Sequence, residues 1–142
     1  MTNLFTYGSL MCDDIMFAVV NCQLERGDAI LNDFYRSNVR NQEYPGIIPQ
    51  VGAQVDGVLY LDLPETAIEQ LDVFEGEFYE REVVQVRTEK FDEMNAMAYV
   101  IKPDYSHILT YTEWSYTHFL ETGKQKFEMA YLGSHDIQQK KR

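Results

Sequence analysis

Hydrophobic and polar positions along the chain switch repeatedly between a period of two and a period near 3.6. Residues 3–7 (NLFTY) are aromatic and β-prone and stop at Gly8, which predicts a first strand. Ser9 is placed to cap a helix carrying Leu10, Ile15, Met16, Val19 and Val20, with Asp13 and Asp14 in its early turns. From Gln23 onward, Leu24, Ala29, Leu31, Phe34 and Val39 predict extended chain, with a bulge or turn at Arg26-Gly27-Asp28. Residues 41–52 hold Tyr44-Pro45-Gly46 and Pro49, punctuation too dense for a long element. They predict a loop with a short strand at 46–48. Residues 54–62 alternate again as a strand.

Pro64 then opens a helix, where its missing N–H does no harm. At 100° per residue, Ala67, Ile68, Leu71 and Phe74 share one face, while Glu65, Glu69, Gln70 and Asp72 cover the others. Glu75 breaks that partition. It follows Leu71 by four positions and Ile68 by seven, so it projects from the apolar face. Gly76, able to take φ > 0, ends the helix. Two further alternating stretches, 79–88 and 94–101, flank a charged hairpin turn at 90–93. Residues 104–111 read as irregular and 113–123 as a helix ended by Gly123. A last short helix runs through Phe127 and Tyr131, and the basic tail 140–142 is expected to fray. About six strands and three or four helices, not in clean βαβ order, make one α+β domain over residues 1–142. The expected architecture is a mixed, partly closed sheet with flanking helices.

Composition changes this picture little. The 45% hydrophobic and 13% aromatic fractions suit a packed core. Twenty-three acidic residues against twelve basic give a net charge of −11, which disfavours nucleic acid and anionic membrane as partners. Cys12 and Cys22 match no metal or redox spacing and read as ordinary thiols in a reducing compartment. There is no basic n-region of a signal peptide and no run of 18 apolar residues, so a cytosolic protein is expected. The sequence carries no signal of oligomeric state.

Two places carry candidate chemistry. An ionised carboxylate buried without a partner costs several kcal/mol, so Glu75 is an unusual occupant of its slot. Either it bends out to water or pairs with Arg81, or it stays buried with a raised pKa suited to a general base. The turn Tyr7-Gly8-Ser9-Leu10 is the second place. Unpaired N–H groups at a helix start can hold a carboxylate or an oxyanion, and glycine lets a ligand approach the main chain. The bland alternative is a plain tight connection. Tyr44, Tyr60, Tyr79, Arg36, Arg40 and Arg81 are the polar or amphipathic residues near these loops. Tyr79 and Arg81 share one face of their strand, and Arg81 reads equally as a surface ion-pair partner. Ser9 lacks a G-x-S-x-G elbow, and His107, His118 and His135 supply neither a triad context nor zinc-ligand spacing. No metal or cofactor is expected. The residues lead to a small polar substrate and proton transfer.

The segments LFTYGSLM, Tyr44-Pro45-Gly46, Gly57-Val58-Leu59-Tyr60, Leu71-Asp72-Val73-Phe74-Glu75-Gly76 and Tyr79-Glu80-Arg81 together resemble the gamma-glutamylcyclotransferase-like family, in particular its gamma-glutamylamine cyclotransferase branch. The resemblance runs from Asn3 to about Val100 and loosens in the segment from about residue 104. It implies a small mixed β-barrel with flanking helices and a cavity where the first βα turn meets the acidic helix end. It further implies Glu75 as general base, with Tyr7, Gly8, Ser9 and Leu10 holding a γ-glutamyl group and Tyr44, Tyr79 and Arg81 beside it. The implied reaction is intramolecular aminolysis, releasing 5-oxoproline and an amine with no covalent enzyme intermediate. A binding protein on the same fold, without catalysis, is the alternative. Val58 departs from the resemblance, since many relatives carry an acidic residue there.

Overall fold

The computed structural model describes residues 1–132. Its strands are β1 (Thr2–Thr6), β2 (Arg26–Val39), β3 (Pro45–Leu63), β4 (Tyr79–Arg87), β5 (Met94–Ile101) and β6 (Leu109–Glu113). The sheet runs β3-β1-β5-β4-β2-β6, and a β3–β2 pairing closes the first five strands into a barrel. β1 and β5 are parallel and every other pairing is antiparallel, so the barrel is mixed. Helices α1 (Asp13–Val20) and α2 (Glu65–Glu75) pack against each other and against the barrel. A third helical run, α3, covers residues 116–131. The expected mixed β-barrel with flanking helices is the fold observed.

Alternation along the strands splits the core in two. Phe5, Leu31, Ile47, Leu59, Ala98 and Val100 belong to a cluster built from the strands and Tyr7 just past β1, which fills the barrel. Leu4, Tyr60, Tyr99 and Ile101 face the other way and meet Ile15, Met16, Ile68 and Leu71 from α1 and α2. The apolar face predicted for α2 is therefore the buried one. Gly76 ends that helix at φ 82, its N–H bonded to the carbonyl of Asp72.

Several local expectations are corrected. The loop with a short strand at 46–48 and the strand at 54–62 are one long strand, β3. Pro45 and Pro49 are tolerated because β1 pairs only with residues from Val58 onward, leaving that side of early β3 free of ladder bonds. Arg26-Gly27-Asp28 is regular strand paired with Tyr60, Leu59 and Val58. The irregularity lies instead between Asn32 and Phe34, where Asp33 takes φ 66 and its Oδ1 accepts from the Gly52 N–H. Ser9 caps no α-helix: residues Ser9–Met11 form a short 3-10 turn, and Cys12 is the N-cap of α1. The irregular stretch at 104–111 resolves into a 3-10 segment, Pro103–Ile108, followed by β6.

The helix expected over 113–123 begins later, because Glu113 still belongs to β6. Nor does it stop at Gly123. The run is α-helical over Tyr116–His118, π-helical over Phe119–Gly123 and α-helical again over Lys124–Tyr131. Gly123 sits inside because a Cβ there would lie 2.6 Å from Glu43 Oε2. His135 and the basic tail fall outside the described residues. No helix among those described is long and apolar enough to cross a membrane.

Candidate active site

The C-terminal end of β1, the end of α2 and the start of β3 converge on a small cavity of about 30 Å³. Tyr7, Gly8, Ser9 and Leu10 line it, together with Tyr44, Tyr79 and Glu75. An adjoining space of about 60 Å³ shares Ser9, Tyr44, Glu75 and Tyr79 and is lined further by Phe74, Phe127 and Tyr131. The helix end and the first βα turn, about sixty residues apart in sequence, thus border one space.

Glu75 neither swings fully into water nor pairs with Arg81. It is half-buried, and among the described residues its carboxylate makes no hydrogen bond and no ion pair. Burial with no compensating cation pushes its pKa up to about 8. Its charge in turn reinforces the rise that burial imposes on the phenols of Tyr7 and Tyr79. The result is a carboxyl poised near neutrality that shares its cavity with Tyr7 and Tyr79, whose phenols stay protonated.

The turn is held by its carbonyls. Arg36 Nη1 donates to the Tyr7 carbonyl at 2.9 Å, and the Tyr60 hydroxyl donates to the Leu10 carbonyl at 2.8 Å. Arg36 is itself anchored on Asp56 at 2.9 Å and lies over the Trp114 ring. The N–H groups of Ser9 and Leu10, by contrast, make no hydrogen bond among the described residues. With carbonyls tied back and N–H groups free, the turn presents donors to an anion or oxyanion. Gly8 allows the close fit, since a Cβ there would stand 2.7 Å from Cδ of Pro45. Pro45 is fixed from its other side by the Tyr79 hydroxyl, which donates to its carbonyl at 2.7 Å.

Arg81 does not line the cavity. It sits opposite Tyr99 across the β4–β5 pair, and its Nε and Nη2 grip the two carboxylate oxygens of Asp72 at 2.9 and 3.3 Å. The Tyr99 hydroxyl donates to the same Asp72 Oδ1 at 2.7 Å. Burial acts against the ionised Asp72, but Arg81 and Tyr99 outweigh it and hold the carboxyl below its usual range. Arg81 therefore braces α2 three residues before Glu75 and stands outside the cavity wall. His107 lies against Tyr105, and His118 Nε2 lies 3.1 Å from Thr122 Oγ1; neither lines the cavity with Ser9.

Sequence reasoning assigned no role to Tyr99, Phe127 or Tyr131, nor to Arg36 beyond its place near the loops. Tyr99 alone left a trace, as a hydroxyl on a strand face otherwise occupied by Met97 and Ile101. The aromatics of α3 carry no such mark, since a Phe or Tyr at helical spacing reads equally as core.

The family profile described as "Gamma-glutamyl cyclotransferase, AIG2-like" matches residues 4–116. AIG2-like protein D of Arabidopsis thaliana is 34% identical over 146 aligned positions, covering 96% of each chain. An Arabidopsis thaliana protein known from its solution structure superposes with a TM-score of 0.68 at 25% identity, covering 96% of this chain and 92% of its own. A solved gamma-glutamyl cyclotransferase shares the fold with a TM-score of 0.63 at 20% identity, over 75% of each chain. The chain belongs to the gamma-glutamyl cyclotransferase, AIG2-like family.

Proposed function

We propose that this protein is a γ-glutamyl cyclotransferase-type enzyme, converting a γ-glutamyl amine or amide into 5-oxoproline and a free amine. One observation carries the reading: Glu75, half-buried with no cation paired to it among the described residues and with a pKa of about 8, borders the same cavity as the Tyr7–Leu10 turn. Family membership supports it.

The chemistry follows from what each group can do. The α-carboxylate of the γ-glutamyl group is an anion, and the free N–H groups of the turn are donors suited to it or to a developing oxyanion. The α-ammonium is a cation, and Glu75 is the carboxylate lining this cavity. Glu75 accepts a proton from the ammonium; the freed amine attacks the γ-carbonyl carbon; a tetrahedral oxyanion forms. The attacking nitrogen then carries two protons; as the adduct collapses it releases one, the bond to the leaving nitrogen breaks, and that nitrogen takes up the proton held by Glu75 and the one released by the ring nitrogen, departing as an ammonium. Ring closure places nucleophile and electrophile in one molecule, so orientation supplies much of the rate and no nucleophilic side chain is needed. The test is 5-oxoproline release from a γ-glutamyl amide by the wild-type protein and by Glu75→Gln. Equal turnover by the two sinks the assignment; binding of γ-glutamyl compounds with no 5-oxoproline identifies a binding protein on this fold.

A further inference from the structure

The barrel has two ends, and Glu75 serves only one of them. Tyr79, at the start of β4, borders the Glu75 cavity; Arg87, at the end of the same strand, borders a separate cleft of about 640 Å³. Nine residues of strand set these two positions about 25 Å apart. No residue lines both. The cleft is there because the barrel is left open at this end. β4 pairs with β2 only at Ile30 and Leu31, so β2 from Arg26 to Ala29 is laddered on the β3 side alone. Beyond Arg87 the chain bonds to itself: the Thr88 N–H donates to the Phe91 carbonyl at 2.9 Å, and the Phe91 N–H to Thr88 Oγ1 at 3.1 Å. The inward-facing column of β2 also shrinks toward this mouth, from Leu31 to Ala29 to Gly27. A Cβ on Gly27 would meet no atom within 4 Å.

The walls of the cleft are apolar, with Leu59, Leu61, Met94 and Phe91, the last 54% exposed. Its rim is cationic. Arg26, Arg87 and Lys90 line it against Asp28 and Glu89, three cations to two acids, in a chain where acids outnumber cations twenty-three to twelve. Arg26 donates to the Tyr60 hydroxyl at 2.9 Å and stands 3.8 Å from Asp13. Arg87 and Lys90 are exposed and make no ion pair and no side-chain hydrogen bond among the described residues. We infer that this cleft is a second binding site, built for an amphiphilic carboxylate. Its apolar body lies along Leu59, Leu61 and Met94 under Phe91, and its carboxylate meets Arg87 and Lys90 at the rim. The volume is that of an ordinary small-molecule site, and the exposed Phe91 ring gains by being covered. The Glu75 end, which no lysine, arginine or histidine lines, offers an anion no such match. The site is independent of the cyclotransferase reading, since it shares no residue with it.

The test is calorimetric titration of the protein with decanoate and with decylammonium, two chains of equal length and opposite charge. Wild-type protein is expected to bind a single decanoate, about tenfold or more tightly than decylammonium. Non-specific uptake of amphiphiles by a chain of net charge −11 gives the reverse order. Gly27→Phe fills the empty position of the β2 column and is expected to weaken decanoate about tenfold or more, with the melting transition retained. Arg87→Gln combined with Lys90→Gln changes only exposed rim positions. It is expected to weaken decanoate about tenfold and leave decylammonium no weaker than before. No saturable decanoate binding, decylammonium binding as tight or tighter, or an unchanged decanoate affinity in either variant overturns the inference. Should Gly27→Phe fail to unfold cooperatively, the rim variant decides alone by the same criterion.

Discussion

The hydroxyl of Tyr99 donates to Oδ1 of Asp72 at 2.7 Å, while the backbone carbonyl of Tyr99 accepts from the Tyr7 hydroxyl at 2.6 Å. One residue of β5 thus ties the helix that ends in Glu75 to the strand that leads into the Tyr7–Leu10 turn. Arg81, opposite Tyr99, grips the same carboxylate. The two halves of the site are spaced by this bridge.

Tyr99→Phe removes the bond to Asp72 and leaves the backbone bond to Tyr7. Expected are a loss of about 1 kcal/mol in unfolding free energy and a roughly tenfold fall in kcat/KM for 5-oxoproline release, measured by denaturant titration and by steady-state assay. An unchanged rate at unchanged stability would remove Tyr99 from the positioning of Glu75.

Glu75→Gln keeps the shape of the side chain and removes its basicity. A drop in kcat of about 10²–10⁴-fold is expected, with a native far-UV spectrum and cooperative unfolding retained. Quantifying 5-oxoproline by mass spectrometry over long incubations sets the residual rate.

Acid–base linkage makes the same residue visible in stability. The Glu75 carboxyl ionises near 4.5 in an unfolded chain and near 8 in the fold. Between those values the folded state holds the proton that the unfolded state has released, so stability falls as pH rises and levels off above about pH 8. Relative to wild type, Glu75→Gln is expected to gain on the order of 2–4 kcal/mol at pH 8.5, a figure discounted for the half-buried position, and almost nothing at pH 4. Melting curves across that range check it. The rate should move oppositely, kcat/KM rising with pH through the Glu75 ionisation, because the base works only when deprotonated.

Arg36 tests the carbonyl side of the turn. In Arg36→Met the Tyr7 carbonyl loses its charged donor and the turn is free to rotate its N–H groups off axis. The expected loss is about 1–3 kcal/mol in stability and more than tenfold in kcat/KM. Retained kcat/KM in a folded variant would show that the turn holds its shape without that bond.

Gly8→Ala puts a methyl against the Pro45 ring, 2.7 Å from Cδ. Relief requires the turn or the Tyr44–Pro45 segment to move by several tenths of an ångström. Destabilisation of about 1–3 kcal/mol is expected by thermal unfolding, together with loss of substrate affinity.

Features that depend on a short reach of chain were already determined by the sequence. Glu75 shares a helical face with Ile68 and Leu71 because 100° per residue puts it there, and Gly76 ends the helix because glycine alone tolerates φ 82 without a Cβ clash. The strand–glycine–turn at Tyr7-Gly8-Ser9 is local in the same way. With the family resemblance, these positions were enough to name the barrel and the candidate base. Where local signals competed, sequence reasoning failed. Pro45 and Pro49 pointed to a loop, and only the absence of a partner on that side of β3 let them lie in a strand. Gly123 pointed to a helix end, and only the approach of Glu43 explains it inside one. Tertiary structure alone decided what surrounds Glu75. The Tyr7–Tyr99 bond joins residues 92 positions apart, and the rings of Phe127 and Tyr131 come from the far end of the described chain. No period in the sequence encodes such contacts. Closure of the barrel brings them together, and their meeting turns a misplaced carboxylate into an unpaired acid at the edge of a cavity.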